Sequence, residues 1–496
     1  MSKFYVTTPI YYVNDIPHIG HAYTSIAADV IARFKRLDGF DVHFLTGTDE
    51  HGQKIQKSAE KSGADIQEFV DGFADNFRAL SQKLNLSNDG FIRTTESRHK
   101  SYVSKIWQKL LDDGYIYLGK YSGWYSISDE TFYQESELVD GKAPSGTEVE
   151  WMEEESYFFK LSSFENKLLA FYEQNADFIM PISRRNEVIS FVKSGLKDLS
   201  ISRTTFKWGI PVPNDQSHVM YVWLDALFNY ISAIDASGCK HFWPCDLHLI
   251  GKDILRFHAI YWPAFLMAAN MELPKKIFAH GWWTNEGVKI SKSLGNTIDP
   301  VKLVETFGLD YVRYFLMRAI PFGNDGNYSE QQCFHLIDSE LANNIGNLVQ
   351  RVLSFVIKNC NDKVPQYGVF TSDDNGLLQL AADAITDIRH HMNKQEINNA
   401  IGVIISLSSA ANGYVEHNAP WQLRKSDTDR MHTVLYVLLE VIRHIGILLQ
   451  PFVPQSASSL LDAFAVQKRD FQDISKKLIP GSFIAWEKPL FNRMQS

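Results

Sequence analysis

The chain has 496 residues, 45% hydrophobic and 22% charged, with a formal net charge of −9. This is ordinary for a globular protein with a sizeable core, and the length suits about three domains. Four cysteines (Cys239, Cys245, Cys333, Cys360) form no Cys-x-x-Cys pair, which argues for a reducing compartment and against a disulfide framework or a cysteine-rich zinc knuckle. The acidity is uneven. Residues 341–496 hold 15 basic and 14 acidic side chains, so the surplus lies before them, and a local RNA-binding face there is not excluded.

The first residues, Met1 to Val6, enter a strand at once, with no room for a signal or transit peptide. Residues 3–46 read as a βαβ unit: strand 3–8, helix 18–37 ended by Gly39, strand 41–46. The strand-to-helix connection lacks Gly-x-Gly-x-x-Gly, so a dinucleotide fold of the usual type is disfavoured. Residues 98–113 predict an amphipathic helix with Val103, Ile106, Trp107, Leu110 and Leu111 on one face. It is closed by Gly114, whose run to Lys120 imitates a P-loop but lacks the Ser/Thr and follows a helix. Residues 117–215 change to short aromatic runs and a Gly/Pro loop, the pattern of an inserted domain. Sheet-like signals return at 219–223, 247–250 and 276–279. Asp299-Pro300 predicts a helix start, N-cap then N1. From Leu341 the pattern is helical almost to the end. Its most apolar part, 434–449, is broken by Glu440, Arg443 and His444 and reads as a buried bundle helix, not a membrane span.

Two short segments carry the chemistry. His18-Ile19-Gly20-His21 opens the first helix, and Lys289-Ile290-Ser291-Lys292-Ser293 occupies the loop before Asp299. A helix N-terminus offers unpaired N–H groups and partial positive charge to phosphates. Lysines add point charges that follow phosphates as bonds break. Either motif alone is more often a capping pair or a solvated loop; the two in this order and context resemble the HIGH and KMSKS signatures of class I aminoacyl-tRNA synthetases. More of the chain is similar to methionyl-tRNA synthetases: Pro9 to Asn14, Thr46 to Gly52, Trp223 to Leu227, Ile250 to Asp253, His258, and Asn418 to Trp421.

The resemblance implies an α/β fold: a Rossmann-like parallel-sheet catalytic domain with an inserted connective domain, followed by an all-α helical anticodon-binding bundle. The expected boundaries are 1–116 and 216–275 for the two catalytic halves, 117–215 for the insertion, 276–340 for the KISKS loop and stem-contact region, and 341–496 for the bundle. The implied activity is ligation of methionine to tRNA through methionyl-adenylate, with Mg²⁺ accompanying ATP. His18 and His21 would donate to phosphate oxygens, Gly20 would let the backbone lie against adenine, and Lys289 and Lys292 would hold the leaving pyrophosphate in a small, mobile loop that includes Ser291. Methionine wants an apolar, aromatic-edged slot with soft sulfur contacts. Ile10, Tyr12, Trp223, Ala226, Leu227, Tyr230, Ile254 and His258 would supply it, with 223, 226, 227 and 230 on one helix face. Such a set also builds ordinary core. Asp49 would take the substrate ammonium, though an Asp at a strand end also serves as a cap. Arg203 would steer the carboxylate, oriented by Asp253. Asn347 and Arg351, four apart, would read base edges, and Trp421 after Pro420 would stack on an anticodon base, with a bundle-core Trp as the alternative.

Relatives often carry Cys₄ zinc knuckles in the insertion. Here Tyr125 to Glu130 stands where cysteines belong, so no zinc or other resident metal is expected. Expected partners are methionine, ATP and tRNA(Met), including the initiator, with no membrane; the expected state is a cytoplasmic monomer. A synthetase for another apolar amino acid would usually carry a larger editing insertion. A nucleotidylyltransferase usually needs a third of this length and no helical bundle. A non-catalytic tRNA-binding relative fits poorly with two intact phosphate motifs.

Overall fold

The structure is a computed structural model that describes residues 2–13, 16–129, 131–133, 135–290 and 296–494. The chain gathers into two compact units: 4–17 with 43–280, and 1–3 with 18–42 and 281–496.

The first unit holds a six-stranded sheet. Its strands are β1 (Lys3–Tyr12), β2 (Asp41–Asp49), β3 (Gly90–Arg93), β4 (Ile179–Met180), β5 (Leu247–Gly251) and β6 (Ile277–His280), in the order β3-β2-β1-β5-β6-β4. Pairing is parallel at Leu45↔Gly90, Val6↔Leu247, His248↔Ile277 and Ile277↔Ile179. Val42 to Asp49 is buried throughout, as befits a strand covered on both faces, and for that reason shows no in-out alternation. Both neighbours of β1 join it only through long crossovers, so residues far apart in sequence meet at the strand ends.

The stretch expected as an insertion forms an antiparallel sheet of strands Ile116–Ser126, Thr131–Tyr133, Glu150–Phe159 and Leu199–Ser200. Gly114, at φ +73°, ends the helix Ser97–Asp112 and turns the chain into this sheet, which disposes of the P-loop imitation.

Two expectations in this unit are corrected. The sheet-like run 219–223 stays a strand only to Met220, and Val222 already begins a helix. Tyr221 is the hinge, and apolar runs this short do not distinguish the two states. The helix read after Trp223 is two short helices, Val222–Leu227 and Asn229–Ala236, meeting at Phe228. Counted in chain order, α1 is Ile19–Leu37, α2 Ser97–Asp112, α3 Val222–Leu227 and α4 Asn229–Ala236.

In the second unit, α5 (Asn347–Asn359), α6 (Ser372–Asn393), α7 (Ile397–Asn418), α8 (Pro420–Ser426), α9 (Thr428–Leu449) and α10 (Pro454–Ala463) form the bundle. α9 is long and apolar enough to cross a membrane, but 94% of its most apolar 18-residue stretch is buried within the protein. Its Glu440–Arg443 pair, 2.7 Å apart, binds the Leu478 N–H and the Ile474 carbonyl, so the charges that interrupt its pattern are satisfied internally. Helical structure stops earlier than expected. Among the described residues after Ala463 only a short 3₁₀ turn, Phe471–Asp473, is regular. That tail is held by side chains such as Glu440, which periodicity does not reveal.

α1 belongs to this second unit. Its Asp29, fully buried, accepts from Arg33 and Arg313 at 2.7 Å each. The buried Arg313 also donates to the carbonyls of Pro451 and Phe452 at 2.9 and 3.2 Å. At the other end, Asp38 pairs with Arg389 of α6 at 2.7 Å.

Candidate functional site

His18 is the N-cap of α1. Its Nδ1 accepts from the Gly20 N–H at 3.1 Å, while His21 Nδ1 accepts from the His18 N–H at 3.1 Å. The rings stack with centroids 3.9 Å apart. A ring that accepts at Nδ1 carries its proton at Nε2 when neutral. Burial, helped by His18, pushes His21 well below the ordinary imidazole range. In the neutral form each ring therefore carries its proton at Nε2, at a helix N-terminus where N–H groups favour phosphate. Gly20 has a local reason beyond the one read from sequence: a Cβ there would lie 2.9 Å from Cε1 of His18. The Ile19 N–H donates to the Ile298 carbonyl at 3.0 Å, which fixes the start of α1 beside the exit of the lysine-bearing loop. Asp299 then caps the next helix, accepting from Val301 and Lys302, with Pro300 at N1. Lys289 pairs through its backbone with Thr284. Ser291, Lys292, Ser293, Leu294 and Gly295, like Asn14 and Glu130, lie outside the described residues.

The sheet unit carries the residues expected to form the apolar slot, and it does not gather all of them into one cluster. Ile10 and Trp223 pack with Ala226 in one cluster, and Trp223 stacks on Phe257. Leu227 and Tyr230 are buried, with Ile254 packed against the same core, while Tyr12 packs on a different cluster around Tyr11 and Val13. His258 Nε2 is 2.7 Å from the Tyr230 hydroxyl and Nδ1 is 3.0 Å from the Ile254 carbonyl. Burial lowers its pKa to about 4, so His258 is neutral, donating at Nδ1 and accepting from Tyr230. A neutral, doubly bonded imidazole is a wall an apolar side chain can meet without facing a charge. Asp49 ends β2, mostly buried, with its carbonyl accepting from Val13. Arg203 is buried, donates to Ser200 Oγ and the Ser202 carbonyl at 2.7 Å each, and lies 3.8 Å over the Tyr221 ring. Asp253 is exposed, beside Gly251.

Sequence reasoning missed buried polar groups next to these residues. Glu50, fully buried, takes Arg93 at 2.7 and 2.9 Å and Thr48 at 2.6 Å. Asp225 takes His51 and His99. Glu50, His51 and Asp225 lie inside the quoted runs, but nothing in their spacing announces partners from residues 93 and 99.

In the bundle, Ala419 at φ +41° breaks the chain between α7 and α8, and Pro420 takes N1 of α8. Trp421 is thereby left 39% exposed. The Arg351 guanidinium lies 5.5 Å from the Trp421 ring centre and pairs with Glu416 at 2.7 Å. Asn347 is exposed one turn earlier on α5. Beneath the corner, Asn418 accepts from Arg430 at 2.9 Å, and Arg430 grips the buried Asp374 at 2.5 and 2.7 Å.

In the inserted sheet, Asp129 accepts from Ser145, Thr147 and Tyr133 at 2.5, 2.8 and 2.9 Å. Ser126 lies 2.8 Å from Thr147. One carboxylate already satisfied by three hydroxyls is a poor donor set for zinc, which prefers thiolate and imidazole. Among the described residues no group of three His, Cys, Asp or Glu is placed to hold a metal.

The chain is similar to known proteins over nearly its whole length. Residues 4–148 and 136–353 match the profile of class I (M) tRNA synthetases, and 364–495 that of the anticodon-binding domain of methionyl-tRNA ligase. The chain belongs to the methionine–tRNA ligases. It is 60% identical to the methionine–tRNA ligase of Rickettsia conorii over 95% of this chain and 94% of that one. With the Rhizobium meliloti enzyme it shares 54% over 99% and 98%. The structure of Mycobacterium tuberculosis methionyl-tRNA synthetase in complex with methionyl-adenylate superposes with a TM-score of 0.96, at 48% identity, covering 99% of this chain and all of the other. The chain is accordingly an AMP-forming class I ligase for methionine and tRNA.

Proposed function

We propose the following division of labour for this ligase. MgATP is held by the imidazoles of His18 and His21 at the head of α1 and by Lys289 and Lys292, with Ser291 keeping that loop small. Gly20 leaves the backbone open to the adenine. Methionine enters the slot of Ile10, Tyr12, Trp223, Ala226, Leu227, Tyr230, Ile254 and His258, its ammonium on Asp49 and its carboxylate steered by Arg203, with Asp253 orienting the arginine. The carboxylate attacks the α-phosphorus in line, pyrophosphate leaves toward the lysines, and the methionyl group passes to the 3′ adenosine of tRNA. Charge stabilisation and positioning supply most of the rate in such a transfer.

The observation that carries the ATP reading is the bond from Ile19 N–H to the Ile298 carbonyl. It pins the start of the imidazole-bearing helix five residues past Ser293. Arg351 with Trp421, Pro420 and Asn347 is the anticodon reader. We read 1–116 and 216–275 as catalytic, 117–215 as a connective insertion without zinc, 276–340 as the loop and stem-contact region, and 341–496 as the RNA-reading bundle. The enzyme acts as a cytoplasmic monomer on elongator and initiator tRNA(Met). Amino-acid-dependent ATP–pyrophosphate exchange, run with each amino acid with and without tRNA, tests the reading. Exchange with methionine alone, independent of tRNA, is the expected result; exchange with another amino acid or none refutes it.

A further inference from the structure

Asp225 is fully buried on α3, the helix that also bears Trp223, Ala226 and Leu227. Both of its oxygens are used: Oδ2 lies 2.6 Å from His51 Nδ1 and Oδ1 lies 2.8 Å from His99 Nε2. The second nitrogen of His99 lies 2.7 Å from Ser232 Oγ, and His51, His99 and Ser232 are all at most 2% exposed. Two distant pieces of chain meet on this one carboxylate, and Ser232 holds the far side of one of them. His51 follows Asp49 by two residues at the end of β2, His99 sits in the first turn of α2, and Ser232 lies on α4.

The cost of this arrangement says what it is for. Burying a carboxylate is expensive, and a well-packed apolar group would hold the fold at least as well. What the carboxylate adds is direction: two hydrogen bonds of set length from two imidazoles. α3 needs such a constraint. It has six residues, no side-chain cap at Tyr221, and ends at Phe228 where the chain restarts as α4. A helix that short has almost no stability of its own, so tertiary contacts decide where it sits.

We propose that Asp225 is a positioning residue for amino-acid selection: through His51 and His99 it locks the Trp223–Leu227 wall of the thioether slot against the strand end that carries Asp49. The inference rests on the assignment of Asp49 and Trp223 to the methionine site. It goes beyond that assignment by naming the group that sets the distance between the ammonium-binding carboxylate and the side-chain wall. A slot held at fixed width gains its selectivity from that width, and an error of about 1 Å in positioning costs on the order of a hundredfold.

The test uses the full chain and methionine-dependent ATP–pyrophosphate exchange. D225N keeps the shape and removes the charge. It should raise the KM for methionine roughly ten- to a hundredfold, leave the KM for ATP unchanged, and erode the preference for methionine over norleucine, which has a methylene in place of sulfur. H99Q, which keeps the His51 bond, should move the same quantities less, and it carries the test if D225N does not accumulate. D49N is run alongside. If D49N leaves the KM for methionine alone, the site assignment fails and the inference with it. If D49N raises it while D225N or H99Q lowers only the melting temperature, with methionine KM and the methionine/norleucine ratio intact, Asp225 is a fold constraint and the positioning role is overturned.

Discussion

Replacing Trp421 with alanine separates RNA reading from catalysis. The ring is 39% exposed at the head of α8, with the Arg351 guanidinium 5.5 Å from its centre. It therefore offers a stacking face without contributing a full core side chain, whose loss would cost about 3–5 kcal/mol. A base stacked on such a ring is worth about 1–3 kcal/mol. At 1.4 kcal/mol per decade this is a rise of roughly 5- to 150-fold in the KM for tRNA. Aminoacylation is measured over a series of tRNA concentrations, and ATP–pyrophosphate exchange on the same preparation. Exchange and melting temperature should stay near those of the parent. A collapse of exchange together with the melting temperature would show that Trp421 supports the bundle and does not read RNA.

Lys292→Ala should slow adenylate formation in pre-steady-state assays by about 3–4 kcal/mol, by analogy with a lost oxyanion donor, with methionine affinity little changed; an unchanged rate would remove Lys292 from the mechanism. Elemental analysis should find no stoichiometric zinc, and a chelator at fixed Mg²⁺ should leave the melting temperature alone; one zinc per chain would mean that donors other than the Asp129 cluster bind it. Homocysteine lacks only a methyl group, a difference worth about 1–3 kcal/mol; ATP and homocysteine without tRNA should therefore yield thiolactone and AMP, and stable homocysteinyl-adenylate would refute correction in the synthetic site. Finally, the flanking imidazoles outweigh the effect of burial and hold Asp225 at a pKa of about 2, against 3.8 normally. A carboxylate depressed on folding stabilises the protein above its unfolded pKa, so about 2 kcal/mol should be present at neutral pH and be lost from near pH 4 down to pH 2. Chemical denaturation of D225N and parent across that window should show the difference shrinking with acid, and a constant difference would rule this out.

Much of the local geometry around the candidate site was legible because it is set within a few residues. The His18–His21 pair, the Asp299-Pro300 start and the Pro420 corner each declare themselves within a few residues, since capping and proline geometry are short-range effects. The first strand–helix–strand alternation agreed with the α/β class that the family resemblance implied. What stayed hidden is non-local. His99 looks like any polar residue opening a helix until Asp225 arrives from 126 residues away. The end of the strand at Met220 is set by pairing with Ser202, and no propensity at 221–223 marks it. The tail after Ala463 is ordered by Glu440 and Arg443, charges that in sequence only interrupt an apolar run.

Arg313 also determines how far the chain can be cut down. A fragment ending at residue 340 would keep His18, His21 and the Lys289–Ser293 segment, everything a motif map requires for making the adenylate. It would discard the Pro451 and Phe452 carbonyls that accept from the buried Arg313, and the Ser456 N–H that donates to Asp310 at 2.6 Å. Each abandoned partner costs on the order of 1–3 kcal/mol, and the helix that Arg313 braces through Asp29 is the one that begins with the two histidines. A fragment cut short of residue 456 should therefore be less stable at the start of α1, because the bundle braces the helix that begins with the two histidines.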